Sequence, residues 1–100
     1  MQTAFELREK VYGLSAKALG QEHPSTLIYQ NNLAEAYANL GDASKALELL
    51  ENLYEKQCRI FGEKGSETVE TLENIIIVSK LARNRKIMNF YKNKLKETKK

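Results

Sequence analysis

Apolar residues recur every three or four positions through most of the chain, a spacing typical of amphipathic helices that bury one side. After Pro24, the positions Tyr29, Leu33, Tyr37 and Leu40 follow this spacing. Pro24 suits the first turn of such a helix, because its missing N–H would have no partner there. The pattern therefore predicts a helix that begins near Pro24 and buries these side chains.

A glycine and an aspartate, Gly41 and Asp42, interrupt the pattern, and a second apolar stripe follows them. Glycine readily takes the left-handed conformation that ends many helices. We expect a second helix from this turn to Gly62, antiparallel to the first. Its predicted buried residues are Ala46, Leu47, Leu50, Leu53, Tyr54 and Phe61.

The pair of helical patterns occurs again 42 positions later, which indicates a repeat architecture. The stretch "LGQEHPSTLIYQNNLAEAY" matches "FGEKGSETVETLENIIIVS" in outline, although the later turn "LARNRK" lacks the glycine of "LGDASK". We read the chain as one domain over 1–100, with a half repeat at 3–19, a full repeat at 24–62 and a divergent second repeat at 66–97.

Helical stripes are also predicted in the three remaining segments. The half repeat is expected to bury Phe5, Val11, Tyr12, Ala18 and Leu19. The second repeat is expected to start at Ser66, a good N-cap, and to bury Val69, Leu72, Ile75, Ile76 and Leu81. A last helix from about Arg85 is expected to bury Ile87, Phe90, Tyr91 and Leu95.

One run of residues carries a family resemblance. The series Leu33, Ala34, Tyr37, Gly41-Asp42 and Ala46 resembles a tetratricopeptide repeat, and the 42-residue period with "LGQEHPSTL" is similar to the repeats of kinesin light chains. The resemblance implies an all-α fold, in which antiparallel helical hairpins stack as a short right-handed α-solenoid of about five helices. It also implies a non-catalytic scaffold for protein–protein interaction.

Composition narrows the class of protein further. The chain has 100 residues, enough for one small domain, and its longest aliphatic run covers only 75–78, too short to span a membrane. The N-terminal stretch lacks the zones of a secretory signal. The single cysteine, Cys58, cannot form an internal disulfide, so we predict a reducing, cytoplasmic location.

Few residues are suited to catalysis. The only histidine, His23, precedes Pro24 in a helix-starting turn, where a structural role is expected. Cys58 has no nearby histidine to generate a thiolate and is read as a small core residue. The sequence contains neither a cysteine and histidine cluster at metal-ligand spacing nor a phosphate-binding glycine loop. We therefore predict no enzyme activity, no metal and no cofactor.

Two asparagines occupy equivalent positions in the two repeats, Asn32 and Asn74. In tetratricopeptide domains that hold peptides, an asparagine at this position contacts the ligand backbone, and the resemblance implies the same role here. A primary amide suits this role because it can both donate and accept hydrogen bonds. We predict a peptide-binding groove on the inner surface formed by the first helices. Its predicted residues are Asn32, Asn74, Glu35, Asn39, Ile28, Glu70, Ile77 and Leu81. Alternatively, both asparagines are simply solvated, or they satisfy each other's helix ends.

Charge suggests which partners fit. The predicted groove carries Glu35, Glu70 and Glu73 with only Lys80 opposing them, so a neutral or basic peptide suits it better than an acidic one. Residues 80–100 hold nine basic residues and one acid, whereas 1–79 hold seven basic and twelve acidic ones. This basic end could attract nucleic acid, with Phe90 and Tyr91 stacking on bases, but we expect both rings to be core residues.

A rival function is self-assembly. The half repeat exposes Phe5, Val11 and Tyr12 unless another helix covers them, and an uncovered apolar stripe tends to bind a partner. The chain could therefore dimerise through this edge or form part of a longer array.

Overall fold

The computed structural model describes residues 3–99, which form five helices and no β-strand. The helices are α1 (Ala4–Leu19), α2 (Pro24–Asn39), α3 (Ala43–Phe61), α4 (Ser66–Leu81) and α5 (Arg85–Thr98). Each helix packs chiefly against the next one along the chain, so the molecule is an elongated array of 45 × 29 × 15 Å. The predicted all-α repeat fold is confirmed.

The helix starts follow from local side-chain hydrogen bonds. His23 Nδ1 accepts from the Ser25 N–H at 3.1 Å, just before Pro24, and Asp42 Oδ1 accepts from the Lys45 N–H at 3.1 Å. Such bonds satisfy N–H groups that have no partner inside a helix. Ser66 does not serve as the predicted N-cap of α4, because it is already the first helical residue and Gly65 precedes it without a side-chain cap.

The turns inside the two repeats have the same geometry although their residues differ. Gly41, between α2 and α3, has a φ of 88°, and Arg83, between α4 and α5, has a φ of 55°. In both turns the next residue donates its N–H to a helix carbonyl at 2.9 Å. Arg83 therefore takes a left-handed conformation that glycine adopts at the equivalent position.

The core lies along both sides of α3. Ala46, Leu53, Leu72 and Ile75 are fully buried there, and Tyr91 of α5 completes the cluster. Cys58 is half-buried and packs against this core, consistent with the role predicted for it. Burial of these apolar side chains is the main driving force that holds the helices together.

Several residues predicted to be buried are exposed instead. Leu40 and Leu81 are each 65% exposed, because they lie where α2 and α4 end and the chain turns away from its neighbour. Phe90 is 55% exposed, since it lies on the flank of α5 rather than on the side that carries Tyr91. The other exposed residues of the predicted stripes are Ala18, Leu19 and Phe61.

A buried polar cluster joins α2, α3 and the turn before α2. The Lys56 ammonium donates to Gln30 Oε1 at 2.9 Å and to Gln21 Oε1 at 3.1 Å. Gln30 is fully buried and donates in turn to the Leu49 carbonyl and to Asn52 Oδ1. Burial lowers the pKa of Lys56 below its ordinary value. The helical pattern had not predicted these polar positions.

Candidate binding groove

The side of the molecule between α2 and α4 is open and concave. Two adjoining cavities, of about 410 and 440 Å³, both contact Asn31, Glu70 and Asn74 and together form one continuous channel. We call this channel the α2–α4 groove. The first cavity lies at the N-terminal end of α2, near Pro24, and the second lies near its C-terminal end.

Most of the predicted site residues line this groove. The cavity near the C-terminal end of α2 is lined by Glu35, Asn39, Glu70, Asn74, Ile77 and Leu81. Ile28 lines the other cavity, together with Glu70 and Asn74. The structure thus brings together side chains from two helices that are separated by about forty positions in the sequence.

Asn32 lies outside the α2–α4 groove. It lines a smaller cavity of about 190 Å³ against α1, where Leu7, Arg8 and Val11 are its neighbours. Its backbone carbonyl accepts a hydrogen bond from Arg8 Nη1 at 3.0 Å. The amides of α2 that share the groove with Asn74 are instead Asn31, which was not among the predicted site residues, and Asn39, which was.

Helix geometry explains this difference. Equivalent positions of successive repeats face the same way: Asn74 of α4 lines a cavity with the helices before it, α2 and α3, and Asn32 of α2 lines a cavity with the helix before it, α1. The two residues therefore line successive grooves rather than a shared one. Consecutive residues of an α-helix lie about 100° apart around its axis, which places Asn31 on the side of α2 that faces α4.

The lining of the α2–α4 groove is acidic. Three carboxylates, from Glu35, Glu67 and Glu70, are present along it, and no lysine, arginine or histidine is among the described residues that line either cavity. Glu73 and Lys80, which the sequence had suggested as groove residues, do not line it. A cation would be attracted to this surface and an anion repelled.

Exposed apolar side chains flank these carboxylates. Ile28 is 60% exposed, Ile77 is 57% exposed, and Leu81 extends the same wall at the far end. Phe61, at the C-terminal end of α3, lines the cavity near Pro24 and is 40% exposed. Apolar surface that is open to solvent and rimmed by polar groups is typical of interaction sites.

The described part of the chain offers no metal centre, since residues 3–99 contain no cluster of histidine, cysteine or acidic residues that could hold an ion. His23 uses Nδ1 as a helix-cap acceptor in an exposed turn. None of the helices in this part of the chain is long and apolar enough to cross a membrane.

The fold and the groove are those of a helical repeat protein. Comparison with known families shows which kind of repeat it contains. A family model for the tetratricopeptide repeat matches residues 1–59, so the chain belongs to the tetratricopeptide repeat family. No curated protein sequence matches the chain significantly.

Solved structures support the narrower resemblance to kinesin light chains. One is a crystal structure of kinesin-light-chain-like, nearly identical TPR-like repeats from Podosopora anserina, with 27% identity and a TM-score of 0.83. A variant of that protein has 27% identity and a TM-score of 0.84. Each alignment covers 92% of this chain but only 44% and 43% of the respective structure. The chain therefore spans less than half the length of these relatives.

Proposed function

We propose that the chain is a non-catalytic protein-interaction scaffold that binds an extended, neutral or basic peptide segment of a partner in the α2–α4 groove. The observation that carries this proposal is the lining itself. Carboxylates, exposed aliphatic side chains and the four amides of Asn31, Asn39, Gln57 and Asn74 lie along one channel, without a cation among its described lining residues. Membership of the tetratricopeptide repeat family supports a scaffold rather than an enzyme.

The amides supply contacts to the ligand backbone. Asn31 and Asn74 are half-buried and belong to facing helices, so a chain that passes between them meets a donor and an acceptor from each side. Such contacts would hold a peptide without selecting its sequence. Selectivity would come from the carboxylates Glu35 and Glu70 and from the apolar surface of Ile28 and Ile77.

Titration of simple peptides tests this proposal. We would use three blocked octapeptides of alanine and leucine that carry two glutamines, two lysines or two glutamates, and follow backbone amide NMR shifts of the protein. The expected result is binding of the neutral and basic peptides, with shifts concentrated around Asn31, Asn74 and Ile77. Preference for the glutamate peptide, or shifts confined to another surface, would overturn the proposal.

A pair of variants tests the amides within the same experiment. The double change Asn31→Ala plus Asn74→Ala should raise the Kd about 5–150-fold, because each amide hydrogen bond contributes about 0.5–1.5 kcal/mol. Asn32→Ala is the matched control, since Asn32 lies one residue away but lines the cavity against α1. Equal effects of the control and the double variant would contradict the assignment of Asn31.

Self-assembly remains the second candidate, on a different observation. Phe5 packs edge-on against Tyr37 of α2, with ring centroids 4.8 Å apart, and is therefore half-buried within the chain itself. Leu7 and Leu14 of α1 are instead 51% and 58% exposed. We would measure mass by light scattering at two concentrations, for the wild type and for Leu7→Gln plus Leu14→Gln. A wild-type monomer at both concentrations would exclude this candidate.

A further inference from the structure

One buried polar atom in the α2–α4 groove has no partner. Gln57 of α3 is only 7% exposed and lines the cavity near Pro24, and its Oε1 finds no hydrogen-bond donor among residues 3–99. A buried acceptor left without a donor costs free energy, and such groups are uncommon in folded proteins. The atom itself is closed to solvent, but Gln57 lines the cavity, so a rotation of its side chain would present this acceptor to a donor that arrives with a ligand.

The surroundings of Gln57 define what kind of donor fits. Glu67 and Glu70 line the same cavity and add carboxylates, which accept hydrogen bonds and attract positive charge. The rest of the wall is largely apolar and includes Ile28 and Phe61. The volume of about 410 Å³ is large enough for a long side chain. The cavity thus combines acceptors and negative charge with apolar walls.

We propose that this cavity binds an arginine side chain of the partner peptide. Its aliphatic stem would pack against Ile28 and Phe61, and its guanidinium would donate to Gln57 Oε1 and pair with Glu67 and Glu70. Arginine is preferred to lysine because its five N–H groups can reach several acceptors at once. This inference rests on the proposed function, since it assigns one pocket within the peptide groove.

The ligand side of the proposal can be tested on the wild-type protein alone. We would titrate the blocked peptide Ala-Ala-X-Ala-Ala by NMR, with arginine, lysine, citrulline or methionine at X. Citrulline keeps the shape of arginine and part of its N–H donors, but it carries a carbonyl oxygen in place of one nitrogen and lacks the charge. Methionine lacks both the N–H donors and the charge. The expected order of affinity is arginine, then lysine and citrulline, then methionine, and added salt should weaken arginine binding most. Methionine binding as tightly as arginine would overturn the proposal.

The protein side is tested with variants that separate acceptor from charge. Gln57→Leu should weaken arginine and citrulline binding several-fold, with an unchanged or higher melting temperature because an unpartnered acceptor is removed. Glu67→Gln plus Glu70→Gln should weaken arginine but not citrulline. Glu73→Gln is the matched control, since Glu73 belongs to α4 but does not line the groove. Undiminished arginine binding in both the Gln57→Leu and the double variant would disprove this assignment.

Two further readouts make every outcome decisive. If Gln57→Leu folds poorly by circular dichroism, Gln57→Met replaces it, and the order of the four wild-type affinities still decides the ligand class. The glutamine octapeptide reports on the amides and the Ile77 end of the groove. Its binding without an arginine preference would reject this pocket alone, whereas no binding by any peptide would reject the proposed function as well.

Discussion

At Arg83 the main chain has a φ of 55°, a conformation that costs a residue with a Cβ atom about 1–2 kcal/mol. Glycine occupies the equivalent position of the preceding repeat, Gly41, at a φ of 88°. The backbone hydrogen bonds of the two turns match, so nothing in the fold requires the arginine there. The strain arises because the second repeat has arginine where the same turn in the first repeat has glycine.

We therefore predict that Arg83→Gly stabilises the protein. The relief of strain is partly offset by the greater freedom of glycine in the unfolded chain, which leaves a net gain of about 0.5–1 kcal/mol. The melting temperature should rise by about 2–8 °C for a domain of this size. Arg83→Ala is the control, because it removes the same charge but keeps the Cβ atom. An equal gain in the alanine variant would show that charge, not backbone strain, was responsible.

At the scale of the helices, the apolar stripe predicted one element well. The predicted residues Ala46, Leu47, Leu50 and Leu53 of α3 are all buried, because this helix has neighbours on both sides. The stripes failed at helix ends such as Leu81, where a residue has helical spacing but no neighbour to cover it. Periodicity shows which side of a helix is apolar. How much of that side a neighbouring helix covers is determined only by the fold.

The polar interior could not be predicted from periodicity. Thr26, Gln30, Thr68 and Ser79 are fully buried, and a polar residue is recognised as a core residue only when its partner is known. Gln57 of the groove belongs to the same group, since no signal in the sequence distinguishes it from a solvated glutamine. Asn31 could have been found by considering which side of α2 faces α4, because it lies about 100° around the helix from Asn32.

The two repeats provide a matched pair of buried threonines. Thr26 Oγ1 hydrogen-bonds to Ser15 Oγ at 2.8 Å, whereas Thr68 Oγ1, at the equivalent position of α4, has no partner within residues 3–99. Both side chains are fully buried. Valine has the same shape as threonine without its hydroxyl group, so the same substitution has different consequences at the two sites.

We expect Thr26→Val to lower the free energy of unfolding by about 1–2 kcal/mol, because it breaks a buried hydrogen bond and leaves Ser15 unpaired. Thr68→Val should be neutral or stabilising by up to about 1 kcal/mol, since no bond is lost. Urea denaturation of both variants measures the two changes. Equal destabilisation would mean that Thr68 makes a hydrogen bond, for instance through water, that offsets its burial.

At the scale of the whole molecule, charge is distributed unevenly. Residues 80–100 carry a net charge of +8 and 1–79 a net charge of −5. The described ion pairs, Lys45–Glu48 and Arg59–Glu22, involve no residue of α5. Phe90 is exposed beside Lys94, whose ammonium lies 5.4 Å from the ring centroid. That nucleic acid is not a partner stays a prediction. Retention of the protein on a phosphate column that is lost as salt is added would show binding to phosphate through charge alone.

The contacts that join the repeats across α3 and α5 make stability depend on alkaline pH. The Tyr91 hydroxyl donates to Glu51 Oε2 at 2.9 Å, and its ring packs edge-on against Tyr54 with centroids 5.7 Å apart. Burial, and then the hydrogen bond to Glu51 and its negative charge, raise the pKa of Tyr91 well above the ordinary value of 10.0. Burial also raises the pKa of Tyr54.

These shifts determine the direction of the effect. Below about pH 10, tyrosine is neutral in both folded and unfolded chains, and the full stability is present. Above that pH the unfolded chain releases protons that the folded protein retains, so the free energy of unfolding falls as pH rises. Tyr12, Tyr37, Tyr54 and Tyr91 all have raised pKa values and contribute to this loss, whereas the lowered pKa of Lys56 acts in the opposite direction. Because the four tyrosines outnumber the one lysine, the protein should unfold progressively in alkaline solution.

The variant Tyr91→Phe separates the hydroxyl from the ring. At neutral pH it should be less stable than the wild type by about 1–2 kcal/mol, because the hydrogen bond to Glu51 is lost while the ring remains packed. Above about pH 10 its stability should fall less steeply, because one ionising group has been removed, so the two curves should converge. Urea denaturation at steps from neutral pH to about pH 11 measures both effects. Parallel curves over this whole range would mean that the Tyr91 hydroxyl ionises as readily in the folded protein as in the unfolded chain, and that its burial against α3 does not link the two repeats as described.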